Sequence, residues 1–290
     1  MENLINQPTR SLSQKLAVYQ ARLLTPFVAL LFFLLLAMAI RIHYLDTIRI
    51  SSERQYRSAI IARAYYYGWS RSIPEWERQA TRVSRERFGL LEPPVQEIIT
   101  ASIYLLINRE NLWIPRFLSS LFWVVGGLFF YQIAKRMMTG KAAVVITAYY
   151  LFLPVGVLTS ISFQPDSLMM MLLLISLLAI FRYSEKPLRT RLILAGIVSG
   201  LAILVKPVCI FTISFAFIAL AVHQKIAHGY FRTFDFLAFF GLCLAPNLIY
   251  YTYGALTDFF LATQFEVSFL PHLLLDKRYW TGWFILLLAL

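Results

Sequence analysis

The sequence predicts an all-α polytopic membrane protein, and three observations carry that prediction. Hydrophobic residues make up 59% of the 290 and the mean hydropathy is +0.65, more apolar surface than a soluble domain of this size could hide in one core. The apolar residues are gathered into long runs separated by short polar loops. Basic residues crowd every second loop, the bias that marks the cytoplasmic side of a bilayer. The net charge of +12 is therefore loop charge and not a nucleic-acid footprint, because no basic patch lies on a soluble fold.

In chain order, residues 1–22 carry Arg10, Lys15 and Arg22 against Glu2 and read as a cytoplasmic tail. The apolar run 23–40 is long enough to cross at about 1.5 Å per residue. Ala37-Met38-Ala39 imitates a signal-peptidase site, but the run is longer than a signal peptide's apolar core and further spans follow, which favours a retained anchor. Further spans are predicted at 112–134, 142–158, 168–181, 192–205, 208–222 and 234–253. That makes about seven transmembrane helices. Residues 280–290 begin a partial eighth, which reads as the end of a C-terminally incomplete bundle. Three basic loops join the N-terminus on the cytoplasmic side: Lys135, Arg136 and Lys141; Arg182, Lys186, Arg189 and Arg191; Lys225 and Arg232. The outer face receives 41–111, 160–166, Lys206-Pro207 and 254–276. With no internal repeat, 1–290 reads as a single integral membrane domain: the tail 1–22, a first extracytoplasmic loop 41–113 and a bundle over 112–290.

The first outer loop is the one long polar stretch. Ser51 and Ser52 precede Glu53, and Tyr56, Ala59, Ile60, Ala64 and Tyr67 recur at helical spacing. These features predict a Ser-capped helix with an acidic first turn, its aromatic groups toward lipid headgroups. Ser72 with Glu75 reads as a capping box for a second helix that runs to Phe88, before Gly89. Glu92-Pro93-Pro94 breaks the backbone, and 95–107, apolar but for Gln96 and Glu97, is too short to span. It reads as a helix lying along or dipping into the interface.

Glu53, Glu92, Asp166 and Lys206 fall on one face of the predicted topology. Asp166 opens a Met- and Leu-rich span, where it serves either as a helix N-cap or as a site carboxylate, two compatible roles. Lys206 lies between two apolar runs, either snorkelling from a helix end or working in a site. Arg54, Arg57 and Arg63 suit anionic headgroups or a substrate phosphate. Cys209 and Cys243 lie inside apolar runs and read as packing residues. His43, His223, His228 and His272 lack ligand spacing, so no metal site is predicted.

Several motifs then combine in order. Pro115-Arg116-Phe117-Leu118-Ser119-Ser120 opens a span, followed by Tyr131, Ala134-Lys135-Arg136, Pro154 and Gln164-Pro165-Asp166. Glu92-Pro93-Pro94-Val95 is similar to a Pro-Pro-Leu motif, and 200–207 to a Gly-Leu-Ala-x-Leu-x-Lys element. Over about residues 20–255 the chain resembles the GT-C superfamily, specifically the protein-mannosyltransferase-like and aminoarabinose-transferase-like branch. The resemblance implies a GT-C-like bundle and an inverting membrane glycosyltransferase that takes sugar from a polyprenyl-phosphate donor. The acceptor would be a lipid, a glycan or a protein, and the setting a bacterial inner membrane with the N-terminus cytoplasmic. Carried onto this chain, it implies Glu53, Glu92 and Asp166 as catalytic carboxylates, Lys206, Arg57 and Arg54 at the donor phosphate, and Gln164 and Tyr56 orienting substrate. No cofactor is required, since lipid phosphate is already an adequate leaving group, and a divalent cation is compatible with the site. Two departures stand out: Ser52 occupies the place of an expected Asp, and Glu92 that of a Lys or His. They leave open a non-catalytic GT-C-like subunit. A lipid-carrier transporter finds support in breaks at Lys206-Pro207 and Ala245-Pro246, but its ionisable groups would belong at midplane, not at span ends.

Overall fold

The computed structural model describes residues 12–46, 52–88, 92–228, 233–256 and scattered positions from 276 to 284. Residues 1–11, most of the 254–276 loop and most of 280–290, with the partial eighth span, lie outside the described residues. Among the described residues every regular element is a helix. In order these are α1 (Leu12–Tyr44), α2 (Ser52–Trp69), α3 (Glu75–Phe88), α4 (Val95–Ile107), α5 (Trp113–Met137) and α6 (Gly140–Phe152). There follow α7 (Pro154–Ser160), α8 (Asp166–Glu185), α9 (Arg189–Val205), α10 (Cys209–His228) and α11 (Thr233–Leu256).

Among the described residues five helices are long and apolar enough to cross a bilayer: α1 from Pro26 to Tyr44, α5, α8, α10 from Cys209 to Ile226, and α11. The run expected as one span over 142–158 is instead the pair α6 and α7, bent by 56°. Pro154 has no amide hydrogen to continue the ladder, so α6 closes with Leu153 N bonded to Tyr149 O at 2.9 Å and α7 starts at the proline. The expected break at Ala245-Pro246 is absent, and Pro246 lies inside a continuous α11. The span expected over 192–205, α9, has 17 residues, about 25 Å of helix. It packs along both α8 and α11.

In lipid, apolar side chains gain little by exchanging one apolar phase for another, so close backbone approach and interhelical hydrogen bonds decide the packing. α9 uses both. Its buried face carries Ala195, Gly196, Ser199, Gly200 and Ala202. A Cβ at Gly200 would stand 2.8 Å from Leu242 O of α11, so only glycine admits this approach. The Ser199 hydroxyl hydrogen-bonds Ser176 of α8. Phe217 of α10 stacks on Phe239 of α11, and both cysteines are buried in or beside this cluster. On the other side of the bundle α1, α5 and α6 share Leu34, Ala37, Trp123, Val144 and Leu151.

The two ends of the bundle differ in chemistry. At one end Arg136 pairs with Glu185 at 2.8 Å, Arg182 donates to Gln132 at 2.9 Å and Tyr183 donates to Asp235 at 2.7 Å. The other end carries Arg41, Arg116, Asp166 and Lys206, and there α2 packs against α3 and α4.

The buried face of α2 is Ser58, Ile61, Ala62 and Tyr66, on the side where α4 packs, and Tyr56 of the stripe expected toward headgroups is 54% exposed. Two expectations for this cap are corrected. α3 starts at Glu75 behind Pro74, whose fixed φ suits a helix entrance, and the Ser72 hydroxyl bonds Ser70 at 2.9 Å instead of capping. Arg63 is held by Glu110 through bonds of 2.8 to 3.0 Å, which ties α2 to the turn after α4. α4 presents its polar residues inward: Gln96, Glu97, Thr100 and Tyr104 are buried while Leu106 is 82% exposed. That polarity suits an interfacial helix with lipid on its outer face.

Candidate active site

The first turns of α2 bring Arg54, Arg57, Ser58 and Ile61 onto one face at i, i+3, i+4 and i+7. Opposite them the stiff Pro93-Pro94 step delivers Glu92 and Glu97, and Pro165 closes the side, around a cavity of about 70 Å³. Ser58 donates to Glu97 Oε1 at 2.7 Å. Burial pushes the Glu97 carboxyl above its ordinary range, and the nearby Glu92 adds to this. The Ser58 bond, a backbone bond and Arg57 oppose it. Gln55 Oε1 accepts from Phe163 N at 3.4 Å, which fastens α2 to the loop before α8.

That loop ends at Asp166, beside the cavity's Pro165. α8 and α9 run antiparallel, so the start of α8 meets the end of α9, and Lys206 Nζ donates to Asp166 Oδ1 at 2.5 Å. Both side chains are mostly buried. The N-cap reading of Asp166 is corrected: Pro165 is the N-cap, with no side-chain capping bond, and Asp166 is the first helical residue. There the helix dipole still favours a carboxylate. Lys206 does not snorkel, because its ammonium has a carboxylate within reach. The second oxygen, Asp166 Oδ2, is buried with no hydrogen-bond partner among the described residues, as is Ser167 Oγ.

Arg41 supports this corner from below. It is fully buried at the end of α1, and donates to Ser160 Oγ at 2.7 Å, Ala37 O at 3.0 Å and Leu151 O at 2.9 Å. The kink at Pro154 interrupts the helical ladder near Leu151, and the guanidinium takes that carbonyl. Ser120 donates to Ser160 O at 3.0 Å, Arg116 to Leu45 O at 2.8 Å and Gln96 to Ser119 at 2.7 Å, which joins α1, α4, α5 and α7 at this end.

Of the residues singled out in the sequence, Arg54, Arg57 and Glu92 line one cavity, and Asp166, which follows the cavity's Pro165 in the chain, pairs with Lys206. Gln164 lies half-buried on the loop between them and α7. Glu53 and Tyr56 are exposed on α2 and do not line the cavity, since each is offset from the face that does. The expected cap at Ser51 lies outside the described residues. Sequence reasoning missed Glu97 and Arg41 as site residues. Glu97 looked like an interfacial charge, although its place behind Pro-Pro beside Gln96 was a signal. Arg41 looked like the first loop residue, and nothing in its neighbours told otherwise. Among the described residues, no three His, Cys, Asp or Glu side chains are grouped to hold a metal ion.

Comparison with protein-family models matches residues 91–251 to the dolichyl-phosphate-mannose-protein mannosyltransferase family. The match takes in Glu92, Glu97, Asp166 and Lys206 and begins after α2 and α3. No curated protein and no solved structure matches the chain.

Proposed function

Because the chain belongs to the dolichyl-phosphate-mannose-protein mannosyltransferase family, and so to the GT-C glycosyltransferases of the membrane, we propose that it moves a sugar from a polyprenyl-phosphate donor to an acceptor hydroxyl with inversion. The reaction takes place at the end of the bundle under α2 and α4, the extracytoplasmic side when the basic loops face the cytoplasm. A bacterial inner membrane and a cytoplasmic N-terminus fit that orientation. The observation that carries the reading is the convergence of Arg54, Arg57, Glu92 and Glu97 beside the Asp166–Lys206 pair.

The acceptor oxygen attacks the anomeric carbon while the bond from that carbon to the phosphate oxygen breaks. The electron pair leaves with the lipid phosphate, and the acceptor proton passes to a carboxylate. Asp166 is well made for that base: Lys206 occupies Oδ1 and orients the group, leaving the buried Oδ2 to accept. Glu92 at the cavity wall is the second candidate, and Glu53 requires a rotation of α2 or a different substrate pose to take part. Arg54 and Arg57 stabilise the charge that grows on the departing phosphate, with Lys206 adding positive potential. Gln164 orients substrate from the loop before α8, and Tyr56, like Glu53, takes part only in a different substrate pose. No cofactor is required, and a divalent ion, if one takes part, would be held at Asp166 and would supply positive charge for the departing phosphate. The acceptor is a lipid, a glycan or a protein.

Membranes containing the protein, or its Glu53→Gln, Glu92→Gln and Asp166→Asn variants, are incubated with labelled polyprenyl-phosphate sugars. Asp166→Asn should abolish transfer. Full transfer by all three variants would reject this site, and none by the parent chain would favour the non-catalytic subunit that Ser52, in place of the family's Asp, suggests.

A further inference from the structure

A second recess lies between α2 and α3, lined by Tyr65, Gly68 and Trp69 from one helix and Arg78, Arg82 and Arg85 from the other, around about 300 Å³. The three arginines stand at i, i+4 and i+7, so one face of α3 presents three guanidiniums to the same space. Glu75 answers only one of these charges, pairing with Arg78 at 3.4 Å. Arg78 also donates to Ile73 O at 3.1 Å, and Arg85 lies 4.4 Å from the centre of the Tyr65 ring and donates to its hydroxyl at 3.2 Å. Two of the cations are thus held in place by the protein. Arg82 has neither a hydrogen bond nor an ion pair among the described residues.

The recess is open as well as charged. A Cβ on Gly68 would meet nothing within 4 Å, and Trp69 is 43% exposed, a broad aromatic face beside the arginines. Guanidinium groups grip phosphate or carboxylate oxygens through paired N–H donors, and an aromatic face takes the less polar face of a sugar ring. Such a mixture fits neither a neutral sugar nor a bare anion best. It fits a sugar that carries an anionic group.

The recess is also aligned with the cavity. Ile61 lines the cavity, and Tyr65 and Gly68 lie four and seven residues further on, the same face of α2 and about 6 and 10 Å along it. Tyr65 stands within reach of the charges of both Arg85 in the recess and Glu97 in the cavity. We propose that the α2–α3 groove is the acceptor subsite and that it binds an anionic saccharide, a sugar bearing phosphate or carboxylate, whose free hydroxyl extends along α2 to the reaction cavity. The word acceptor rests on the transfer reading above, whereas the binding of an anionic sugar does not.

The test is a calorimetric titration of the full chain in phosphatidylcholine nanodiscs with glucose 1-phosphate, glucuronate, glucose and inorganic phosphate. Glucose 1-phosphate and glucuronate should bind at least about tenfold more tightly than glucose or phosphate. Arg82→Gln should weaken them about tenfold, the loss of one charge-assisted contact, and Arg82→Lys by less. Gly68→Leu, whose side chain fills open space, should block the groove without disturbing the fold. Phosphate binding as tightly as glucose 1-phosphate, or indifference to both Arg82→Gln and Gly68→Leu, would overturn the proposal. So would loss of sugar-phosphate binding in discs containing phosphatidylglycerol, which would make the groove a lipid-headgroup seat. Asp166→Asn separates the two readings: it should lose transfer and still bind glucose 1-phosphate. Transfer that survives without such binding sinks the groove alone, and binding in a parent chain that never transfers sugar removes its role as acceptor site.

Discussion

Replacing Lys206 with methionine would leave the Asp166 carboxylate mostly buried, with neither oxygen partnered by a side chain. Removing one partner of a buried pair costs about 3–5 kcal/mol, because the remaining charge keeps its desolvation penalty without compensation. Here the two side chains retain 18% and 20% of their exposure, and Asp166 sits at the positive end of α8. The dipole returns about 0.3–1 kcal/mol, so the expected loss is about 3 kcal/mol. Asp166→Asn should cost less, about 1–2 kcal/mol, since a lysine released at a helix end can swing its ammonium toward water. The double variant should recover most of the loss, giving a coupling of about 2–3 kcal/mol in a double-mutant cycle. Reversible unfolding by sodium dodecyl sulfate in mixed micelles, followed by tryptophan fluorescence, measures all three. Additive single losses, with coupling under about 0.5 kcal/mol, would refute the claim that this pair is desolvated. Sugar transfer gives a second readout: the double variant should regain stability and remain inactive, whereas regained activity would make the pair structural only.

Other substitutions test the remaining contacts. The Glu97 carboxyl is raised above 4.5 in the folded protein, so the folded state binds more protons than the unfolded one just above that pH. Its contribution therefore falls as pH rises from 4.5 toward the folded value and levels off beyond. Glu97→Gln, which keeps an acceptor for Ser58, should gain on the parent with a limiting slope of about 1.4 kcal/mol per pH unit in that window. Unfolding midpoints across pH check this. Gly200→Val should destabilise by about 1–3 kcal/mol, since its Cβ would press on Leu242 O and Pro246, whereas Gly68→Ala, with open space, should stabilise by up to about 1 kcal/mol; the same micelle titration ranks them. Arg41→Lys replaces a planar fork by a point charge that cannot serve Ser160 and Leu151 O together, and should cost about 1–3 kcal/mol and slow transfer.

How far these features were legible in the sequence depended on their range. α4 begins and ends where Pro94 and the apolar run predicted, because Pro-Pro fixes a helix start locally and Asn108 closes it in a left-handed turn. The basic loops gather at one end because loop length forces antiparallel neighbours. Ser72 failed as a cap because Pro74, two residues nearer the helix, competes for the same role. The buried face of α2 was not legible for a different reason. Apolar spacing finds the face toward lipid or core, but this helix turns Arg54, Arg57 and Ser58 inward, toward α4 and a polar cavity.

That inversion accounts for the missed residues too. Near a bilayer surface, hydrophobicity no longer separates inside from outside, because lipid accepts apolar side chains as readily as the core does. α4 therefore shows Leu106 to lipid and hides Glu97, and the end of α1 hides Arg41 among carbonyls and hydroxyls, both against the habit of soluble proteins. The useful signal in such a chain is the polar residue on an apolar helix, which must find a partner inside the protein. By that criterion Glu97 on α4 marks the cavity wall more directly than the exposed Glu53 does. A search for the catalytic base should therefore start from the carboxylates behind Pro-Pro and at the head of α8, which the family match covers, before those on α2, which it does not.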